Sequence, residues 1–308
     1  MLGLRGVSKE DIVEILDTAE RFRNVSERQI KKVPTLRGRT VVTFFMENST
    51  RTRMSFDLAA KRLSADTLGF SAGSSSTKKG ETLMDTARNI DAMKPDAIII
   101  RHSAAGAPHM LAKAFPWSVL NAGDGINEHP SQALLDMLTM RDHLGSLAGK
   151  TIGIVGDVYH SRVARSNIFG LTTMGANVVV AGPGTMCPPS MAALGVEVRH
   201  SIDEVAEDAD VIMMLRIQRE RLQPGMMATV NEYSRFYGLD LDRLNKAKPE
   251  ALVMHPGPIN RGVEMSPEVA DGERSVIMEQ VTNGIAIRMA LLYLLVGGES
   301  AGGDSNAS

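Results

Sequence analysis

The sequence predicts an α/β protein made of two doubly wound parallel-sheet domains joined by two interdomain helices. Short apolar runs, such as residues 41–46 and 151–155, alternate with amphipathic helical segments, a pattern typical of parallel strands joined by crossover helices. A chain of 308 residues is long enough for two domains that each bury a core. The helix expected over 131–143 leads into the second unit, and the apolar helix at 279–296 is expected to pack back across the junction.

The individual elements follow one another in a regular order. Ser8 and Asp11 form a variant of the capping box, which opens a helix whose apolar residues recur on one face. In the first unit we expect a helix at 82–93 and strands at 41–46, 67–70, 96–101 and 118–121. In the second unit we expect strands at 151–157, 177–181, 211–215 and 251–254.

Composition excludes several classes of protein. With 34 Lys+Arg against 36 Asp+Glu the net charge is -2, which argues against general binding to nucleic acid or to a membrane surface. The single cysteine, Cys187, permits neither an internal disulfide nor a cysteine metal cluster, and a loop or core thiol is favoured over a nucleophile. The first residues lack a secretory signal, and no run approaches the roughly 18 apolar residues of a membrane span. We therefore expect a cytoplasmic protein.

The stretch FFMENSTRTR, residues 44–53, indicates an anion site. An apolar strand ends at Glu47-Asn48, five hydroxyl or cationic residues follow, and a helix begins near Ser55. Ligands of open α/β sheets bind beyond the carboxyl ends of strands, where helix N-termini favour anions and guanidinium groups bind phosphate oxygens. A solvated, N-capped helix start is the alternative. The five residues of this predicted phosphate cradle are Ser49, Thr50, Arg51, Thr52 and Arg53.

Further polar residues follow other predicted strands of the first unit. Arg101 ends a strand at the same sheet edge, and His129 and Gln132 lie three residues apart around a helix start. A single histidine at such a position is usually a cap or a core residue, but a cluster at successive strand ends favours a site. The loop 71–82 carries Lys78 and Lys79 among glycines and serines, and it reads either as a flexible loop or as a mobile lid over an anion.

The second unit repeats this arrangement. Gly153 and Gly156 invite a dinucleotide-fold interpretation, which is weak because the third glycine of the fingerprint is missing. Arg162 stands at the start of the next helix, and Arg216 follows a buried strand. A buried arginine is costly unless it is paired, either with a protein carboxylate or with an anionic ligand. The segment HPGP at 255–258 follows the last predicted strand.

Taken together, these motifs resemble the transcarbamoylase family along nearly all of residues 1–297. STRTR and HPxQ are typical of the whole family, while KKGET and the RxQxER run resemble the catalytic chains of its aspartate carbamoyltransferase (aspartate transcarbamoylase) branch. One departure is Met46-Glu47-Asn48, where many relatives read Glu-Pro or Glu-Ala, although Glu47 keeps its place two residues before Ser49. The resemblance implies a transcarbamoylase-like fold.

The resemblance also implies an activity and an assembly. Carbamoyl phosphate and L-aspartate would give N-carbamoyl-L-aspartate and phosphate in pyrimidine biosynthesis, without cofactor or metal. The carbamoyl phosphate-binding domain would span 1–130 with a returning helix at 284–297, the aspartate-binding domain 131–283, and a disordered tail 298–308. The family further implies a homotrimer with sites shared between adjacent subunits, with regulatory chains or dihydroorotase as further partners. The alternatives are ornithine carbamoyltransferase and a catalytically inactive phosphate-binding homologue.

The residue roles come from the same resemblance. Carbamoyl phosphate would be bound by Ser49, Thr50, Arg51, Thr52, Arg101, His129 and Gln132 and by the loop residues Ser75 and Lys79, and the catalytic residues would be Arg51, Thr52, Arg101 and His129. Aspartate would be bound by Lys79, Arg162, Arg216, Gln218, Gly257 and Pro258, and the backbone around the last two would also meet the carbamoyl amide. Glu47 would bridge to Arg162 and Arg221 when the domains close.

Overall fold

The computed structural model describes residues 1–71, 81–217 and 229–297. By their contacts the residues divide into two compact units, of which the first contains Met1–Gly3, Glu10–Ser131 and the C-terminal part from Asn283, and the second Leu4–Lys9 and Gln132–Thr282. The predicted tail at 298–308 lies outside the described residues. Among the described helices, none combines the length and the apolar character needed to cross a bilayer.

The first unit is built on a four-stranded parallel sheet in the order β2-β1-β3-β4. Its core is formed by strand residues such as Phe44, Ile98 and Ile100, which pack with Leu111 and Trp117. The helix α1 buries Ile12, Ile15, Leu16 and Ala19, as the predicted apolar face requires. The elements are α1 (Lys9–Arg23), β1 (Thr40–Phe45), α2 (Thr50–Arg62), β2 (Asp66–Ser71), α3 (Leu83–Asp91), β3 (Ala97–His102), α4 (Ala107–Ala114) and β4 (Ser118–Asp124).

The second unit contains a five-stranded parallel sheet in the order β7-β6-β5-β8-β9. Its elements are α5 (Pro130–Leu144), β5 (Thr151–Val155), α6 (Arg162–Thr173), β6 (Asn177–Ala181), β7 (Glu197–Arg199), α7 (Ile202–Asp208), β8 (Val211–Met214), α8 (Val230–Tyr237), α9 (Leu241–Lys246), β9 (Leu252–Met254), α10 (Pro267–Ala270) and α11 (Ile277–Val296). The chain passes from one unit to the other within α5 and α11. The two parallel sheets confirm the predicted α/β class.

A short N-terminal segment, Leu4–Lys9, belongs to the second unit although the sequence suggests only a continuous first domain. The reason lies in its contacts with that unit. Leu4 is fully buried, and the Arg5 guanidinium stands 5.9 Å from the centre of the Phe169 ring. A side chain at Gly170 would meet Leu4 and Met137, so the glycine allows this close approach.

Both sheets have a topological switch point near their centre. In the first unit the chain winds outward in opposite directions from β1 and β3, and in the second unit from β5 and β8. Loops diverge at such a point and leave a crevice beyond the carboxyl ends of the strands, where ligands of this fold class bind. The strand order therefore predicts that ligand-binding residues lie in the segments that follow β1, β3, β5 and β8.

Candidate active site

The crevice of the first unit is flanked by the start of α2. Ser49 is the extended N-cap residue, and its side chain forms no capping hydrogen bond with the described first turn. That turn contains Arg51 and Arg53 and no acidic residue. The backbone N–H groups of this first turn and the positive end of the helix dipole favour an anion there. Arg53 also pairs with Asp57 one turn further along α2, at 3.8 Å. The helix start has the electrostatics of a phosphate site.

Arg101 lies on the other side of this switch point. It is the register partner of Phe45, the last residue of β1, and its side chain is largely buried. One guanidinium nitrogen donates to Glu47 Oε1 at 2.9 Å and another donates to the carbonyl oxygen of Ala122 at 3.1 Å. These two contacts hold the guanidinium plane at the end of the strand. Sequence reasoning predicted both Glu47 and Arg101 as site residues but missed their ion pair.

His129 follows β4 and directly precedes α5. It is buried, with 4 % of its surface exposed, and Thr52 on α2 is buried as well. The loop before it is organised by the fully buried Asp124, whose carboxylate accepts hydrogen bonds from the backbone N–H groups of Gly106 at 2.7 Å and Glu128 at 3.1 Å. His129 thus stands on a loop that an internal carboxylate fixes.

In the second unit, Arg162 is the first residue of α6. Ser161 caps the helix by accepting a hydrogen bond from the backbone N–H of Ala164 at 3.1 Å. This cap fixes the helix start at Arg162, which is buried with 5 % of its surface exposed. In the preceding loop, Asp157 pairs with the ring Nδ1 of His160 at 2.8 Å. The loop after β5 is therefore held by side-chain contacts of its own.

Arg216 follows β8, the other central strand of the second sheet. The next residue, Ile217, donates its backbone N–H to Glu264 Oε1 at 2.8 Å, and the same carboxylate accepts the backbone N–H of Asn260 at 2.8 Å. Burial raises the pKa of the Glu264 carboxyl, and these hydrogen bonds oppose the rise. Glu264 therefore anchors the segment that carries Arg216, a role that the sequence did not suggest.

The turn after β9 is fixed from within α11. The backbone N–H of His255 donates to Gln280 Oε1 at 3.0 Å, and His255 Nδ1 accepts the backbone N–H of Gly257 at 2.7 Å. Gly257 has a φ of 62°, a left-handed conformation that favours glycine, and the Gly257-Pro258 peptide bond is cis. Gln132 on α5 donates to Asp136 at 2.9 Å.

The predicted site residues divide between the two units as follows. The first unit carries Glu47, Ser49, Thr50, Arg51, Thr52 and Arg101 at the switch point of its sheet, with His129 after β4. The second carries Gln132, Arg162, Arg216, Gly257 and Pro258. Ser75, Lys79, Gln218 and Arg221 lie outside the described residues. The assigned roles, including closure by Glu47, stay predictions.

Two other features bear on the chemistry. Within the described ranges, no group of three or more His, Cys, Asp or Glu side chains is arranged to hold a metal ion. Cys187 is buried in the second unit, with 4 % of its surface exposed. Burial, helped by the charge of Asp157, raises the pKa of its thiol to about 11, so very little thiolate exists near neutral pH. Cys187 is a core thiol.

The fold and its two cationic crevices define a class: a two-domain parallel α/β protein built to bind anionic small molecules. Residues 1–142 match the model of the aspartate/ornithine carbamoyltransferase carbamoyl-P binding domain, and residues 148–295 match the model of the Asp/Orn binding domain of the same family. The chain belongs to the aspartate/ornithine carbamoyltransferase family. The resemblance inferred from the motifs is thereby confirmed.

Two curated relatives carry the name of the aspartate branch of this family. The chain is 62% identical over 300 residues to the aspartate carbamoyltransferase catalytic subunit of Syntrophus aciditrophicus, covering 97% of this chain and 98% of the relative. It is 59% identical over 302 residues to the protein of the same name from Geobacter sulfurreducens, covering 98% and 97%.

Solved structures show the same fold. Aspartate transcarbamoylase from Trypanosoma cruzi, in complex with carbamoyl phosphate and aspartate, matches with a TM-score of 0.85 at 30% identity, covering 96% of this chain and 95% of that one. Ornithine carbamoyltransferase from Pyrococcus furiosus also matches with a TM-score of 0.85, at 31% identity and 97% coverage of both chains. The fold is common to both activities, so it does not by itself distinguish the second substrate.

Proposed function

We propose that the chain transfers the carbamoyl group of carbamoyl phosphate to the amine of L-aspartate, giving N-carbamoyl-L-aspartate and phosphate in pyrimidine biosynthesis. The observation that carries this proposal is the pair of arginines, Arg162 and Arg216, that follow the two central strands of the second sheet. Their guanidinium groups suit the two carboxylates of aspartate. The cationic side chain of ornithine would call for acidic groups there. The relatives with about 60% identity carry the aspartate name.

The first unit supplies the phosphate site in this proposal. The amide groups at the start of α2, the hydroxyls of Ser49, Thr50 and Thr52, and the guanidinium of Arg51 surround the phosphate oxygens. Arg101 contributes a second guanidinium fork from the end of β3. Ser75 and Lys79, which the resemblance adds to this set, come from the loop outside the described residues.

Catalysis of the carbamoyl transfer depends on positioning the two substrates and on stabilising the charge that develops. The aspartate amine attacks the carbamoyl carbon, negative charge develops on the carbonyl oxygen, and the bond to the phosphate oxygen breaks. His129, Thr52 and Arg101 act as donors to the developing oxyanion, while the cations at α2 stabilise the leaving phosphate. The phosphate is our candidate acceptor for the proton that the amine releases. This reaction requires juxtaposition of the two substrates and no protein nucleophile.

One experiment separates the candidate functions. The purified chain is incubated with carbamoyl phosphate and either L-aspartate or L-ornithine, and the carbamoylated product is measured. We expect carbamoyl aspartate and no citrulline. Citrulline as the main product would reverse the choice of second substrate, and binding of carbamoyl phosphate without either product would indicate an inactive phosphate-binding homologue.

We further propose that the chain works in the cytoplasm as a homotrimer whose active sites are shared between adjacent subunits. A cyclic trimer has head-to-tail contacts, so each chain can lend one loop to a neighbour and receive another. The polar loop that contains Lys79 is the candidate for this exchange. Sedimentation of the full chain tests the assembly directly.

Replacing Arg216 with lysine is expected to raise the KM for aspartate at least tenfold while the KM for carbamoyl phosphate stays nearly unchanged. Lysine keeps the charge but cannot form the planar, two-point contact with a carboxylate. Steady-state kinetics with each substrate varied in turn make the measurement. Arg261→Lys is the matched control, because Arg261 pairs with Asp271 at the surface. Unchanged aspartate saturation in Arg216→Lys would remove Arg216 from the site.

Replacing Glu47 with glutamine is expected to strengthen phosphate binding a few fold and to lower kcat. The carboxylate pairs with Arg101 at 2.9 Å, so an incoming phosphate must compete with it for the guanidinium, and glutamine removes that competition. The fall in kcat follows if Glu47 also serves domain closure. Calorimetric titration with inorganic phosphate measures the first effect. Phosphate binding that weakens would show that Glu47 orients Arg101 rather than competing for it.

A further inference from the structure

A buried carboxylate, Asp136, joins three carboxamide side chains in the second unit. It lies on α5 and is fully buried. Gln132 on α5 and Gln280 on α11 both donate to its Oδ1, at 2.9 and 2.7 Å, and Asn167 on α6 donates to its Oδ2 at 2.8 Å. Gln132 and Asp136 are four residues apart and therefore share one face of α5. No sequence motif indicates this cluster, because its members come from three helices.

The chemistry of a carboxylate fixes how Gln132 is turned. An ionised carboxylate accepts hydrogen bonds and has none to donate, whereas a carboxamide has a donor end and an acceptor end. The NH₂ end of Gln132 must therefore face Asp136, and its carbonyl oxygen, Oε1, must point the other way. With an acceptor-only group at position 136, the orientation of Gln132 follows from the donor–acceptor pattern.

The same carboxylate acts on a second element. Gln280 presents its NH₂ end to Asp136, which leaves its Oε1 to accept the backbone N–H of His255. His255 Nδ1 in turn accepts the backbone N–H of Gly257. The turn at residues 255–258 is thus tied to Asp136 through a single glutamine. The family resemblance places Gln132 and the backbone around Gly257 against the carbamoyl group, and both are tied to this one buried residue.

We propose that Asp136 is a positioning residue that makes this part of the site an acceptor of hydrogen bonds, so that it selects ligands with an NH₂ group beside the carbonyl. The inference rests on the proposed function for the role of Gln132. A carbamoyl group offers two N–H donors, which Gln132 Oε1 can accept. An acetyl group of the same size offers a methyl group, which cannot satisfy that oxygen. Selection between the two is the property that Asp136 supplies.

The test compares two ligands that differ only at this group. Phosphonoacetamide carries the NH₂ and acetonylphosphonate carries a methyl in its place, and neither requires turnover for its binding to be measured. We expect the wild-type chain to prefer the amide. In Asp136→Ala the side chain of Gln132 is free to turn. The dissociation constant of the methyl compound divided by that of the amide should then fall by roughly 5- to 30-fold, which corresponds to the loss of one hydrogen bond. Binding of the methyl compound should change little.

Asp136→Asn is the conservative variant that separates polarity from charge. Asparagine still offers one oxygen to Gln132 and Gln280, and its NH₂ end can be met by Asn167, whose Oδ1 is buried and accepts no hydrogen bond from the described residues. We expect this variant to keep the wild-type ratio. A ratio that falls as far as in Asp136→Ala would show that the negative charge, and not the donor–acceptor pattern, sets the preference.

Two further variants control for a general loss of structure in Asp136→Ala. Asp136→Ser has a hydroxyl that can donate or accept and leaves space for water, so it should also lose the preference while satisfying the buried amides. Thr139→Val removes another buried polar group of α5, a hydroxyl that donates to the Leu135 carbonyl oxygen at 2.8 Å, and should leave the ratio unchanged. If both Asp136→Ala and Asp136→Ser keep the wild-type ratio, the proposal is wrong. If the wild-type chain binds neither phosphonate, the proposed function itself fails.

Discussion

Replacing His129 with alanine is expected to lower kcat by roughly 10²–10³, which is the usual loss when one donor to a developing oxyanion is removed. The residue is buried on a loop that Asp124 fixes, so another donor cannot easily move into the place of the missing ring. Phosphate binding should change much less, because the proposed phosphate contacts come from α2 and β3. Steady-state kinetics and a phosphate titration on the same preparation measure both effects.

A matched control separates this effect from the loss of any imidazole. His109 is exposed on α4, so His109→Ala should leave kcat and the KM values unchanged. The thermal midpoint of each variant shows whether either substitution disturbs the fold. A kcat close to that of the wild type in His129→Ala would exclude His129 from the mechanism. A loss confined to KM would instead place it in ground-state binding.

Periodic features of the sequence predicted the framework well. The strand expected at 41–46 is β1 (Thr40–Phe45), the strand expected at 177–181 is β6 (Asn177–Ala181), and the apolar helix expected at 279–296 is α11 (Ile277–Val296). These elements are buried on one or both faces, so their apolar residues recur at the spacing of the structure itself. The same pattern located the strand ends, and with them the places where ligand-binding side chains were expected.

The predicted elements were wrong where local backbone geometry sets the end of an element or where a strand is only weakly buried. The strand expected at 151–157 ends at Val155, because Gly156 adopts a φ of 132° that no extended strand continues through. The three-residue edge strand β7 (Glu197–Arg199) was missed, since none of its side chains is fully buried and no alternation reveals it. The helix expected at 82–93 is shorter, Leu83–Asp91, with Thr82 as its cap.

Contacts that join distant parts of the chain could not be predicted. Glu47 and Arg101 are 54 residues apart, and Gln280 and Asp136 are 144 apart, so no spacing rule connects them. Each pair is a polar contact inside or beside a core, where burial makes a partner necessary but does not say which partner. Sequence motifs therefore predicted residues for contact with substrate, and the structure was needed to find the polar contacts that hold some of them in place.

Mixing two inactive variants tests whether adjacent subunits share active sites. Homotrimers of Arg51→Ala and of Lys79→Ala are each expected to be nearly inactive, because each variant lacks one cation of the proposed phosphate site. Arg51 lies at the start of α2 in the chain's own crevice, while Lys79 lies in the segment 72–80, which is outside the described residues. If that loop is lent to a neighbour, mixing the two inactive proteins should restore activity.

The expected recovery follows from the symmetry. In a cyclic trimer that contains both variants, one subunit boundary brings a chain with intact Arg51 next to a neighbour with intact Lys79, whichever variant is present twice. Each mixed trimer therefore regains about one of its three sites, or roughly one third of wild-type activity. The two parents are dissociated, mixed, reassembled and separated by a charge tag before the assay. Verified mixed trimers as inactive as their parents would show that both residues act within one chain, and sedimentation as a monomer would defeat the proposal before any mixing.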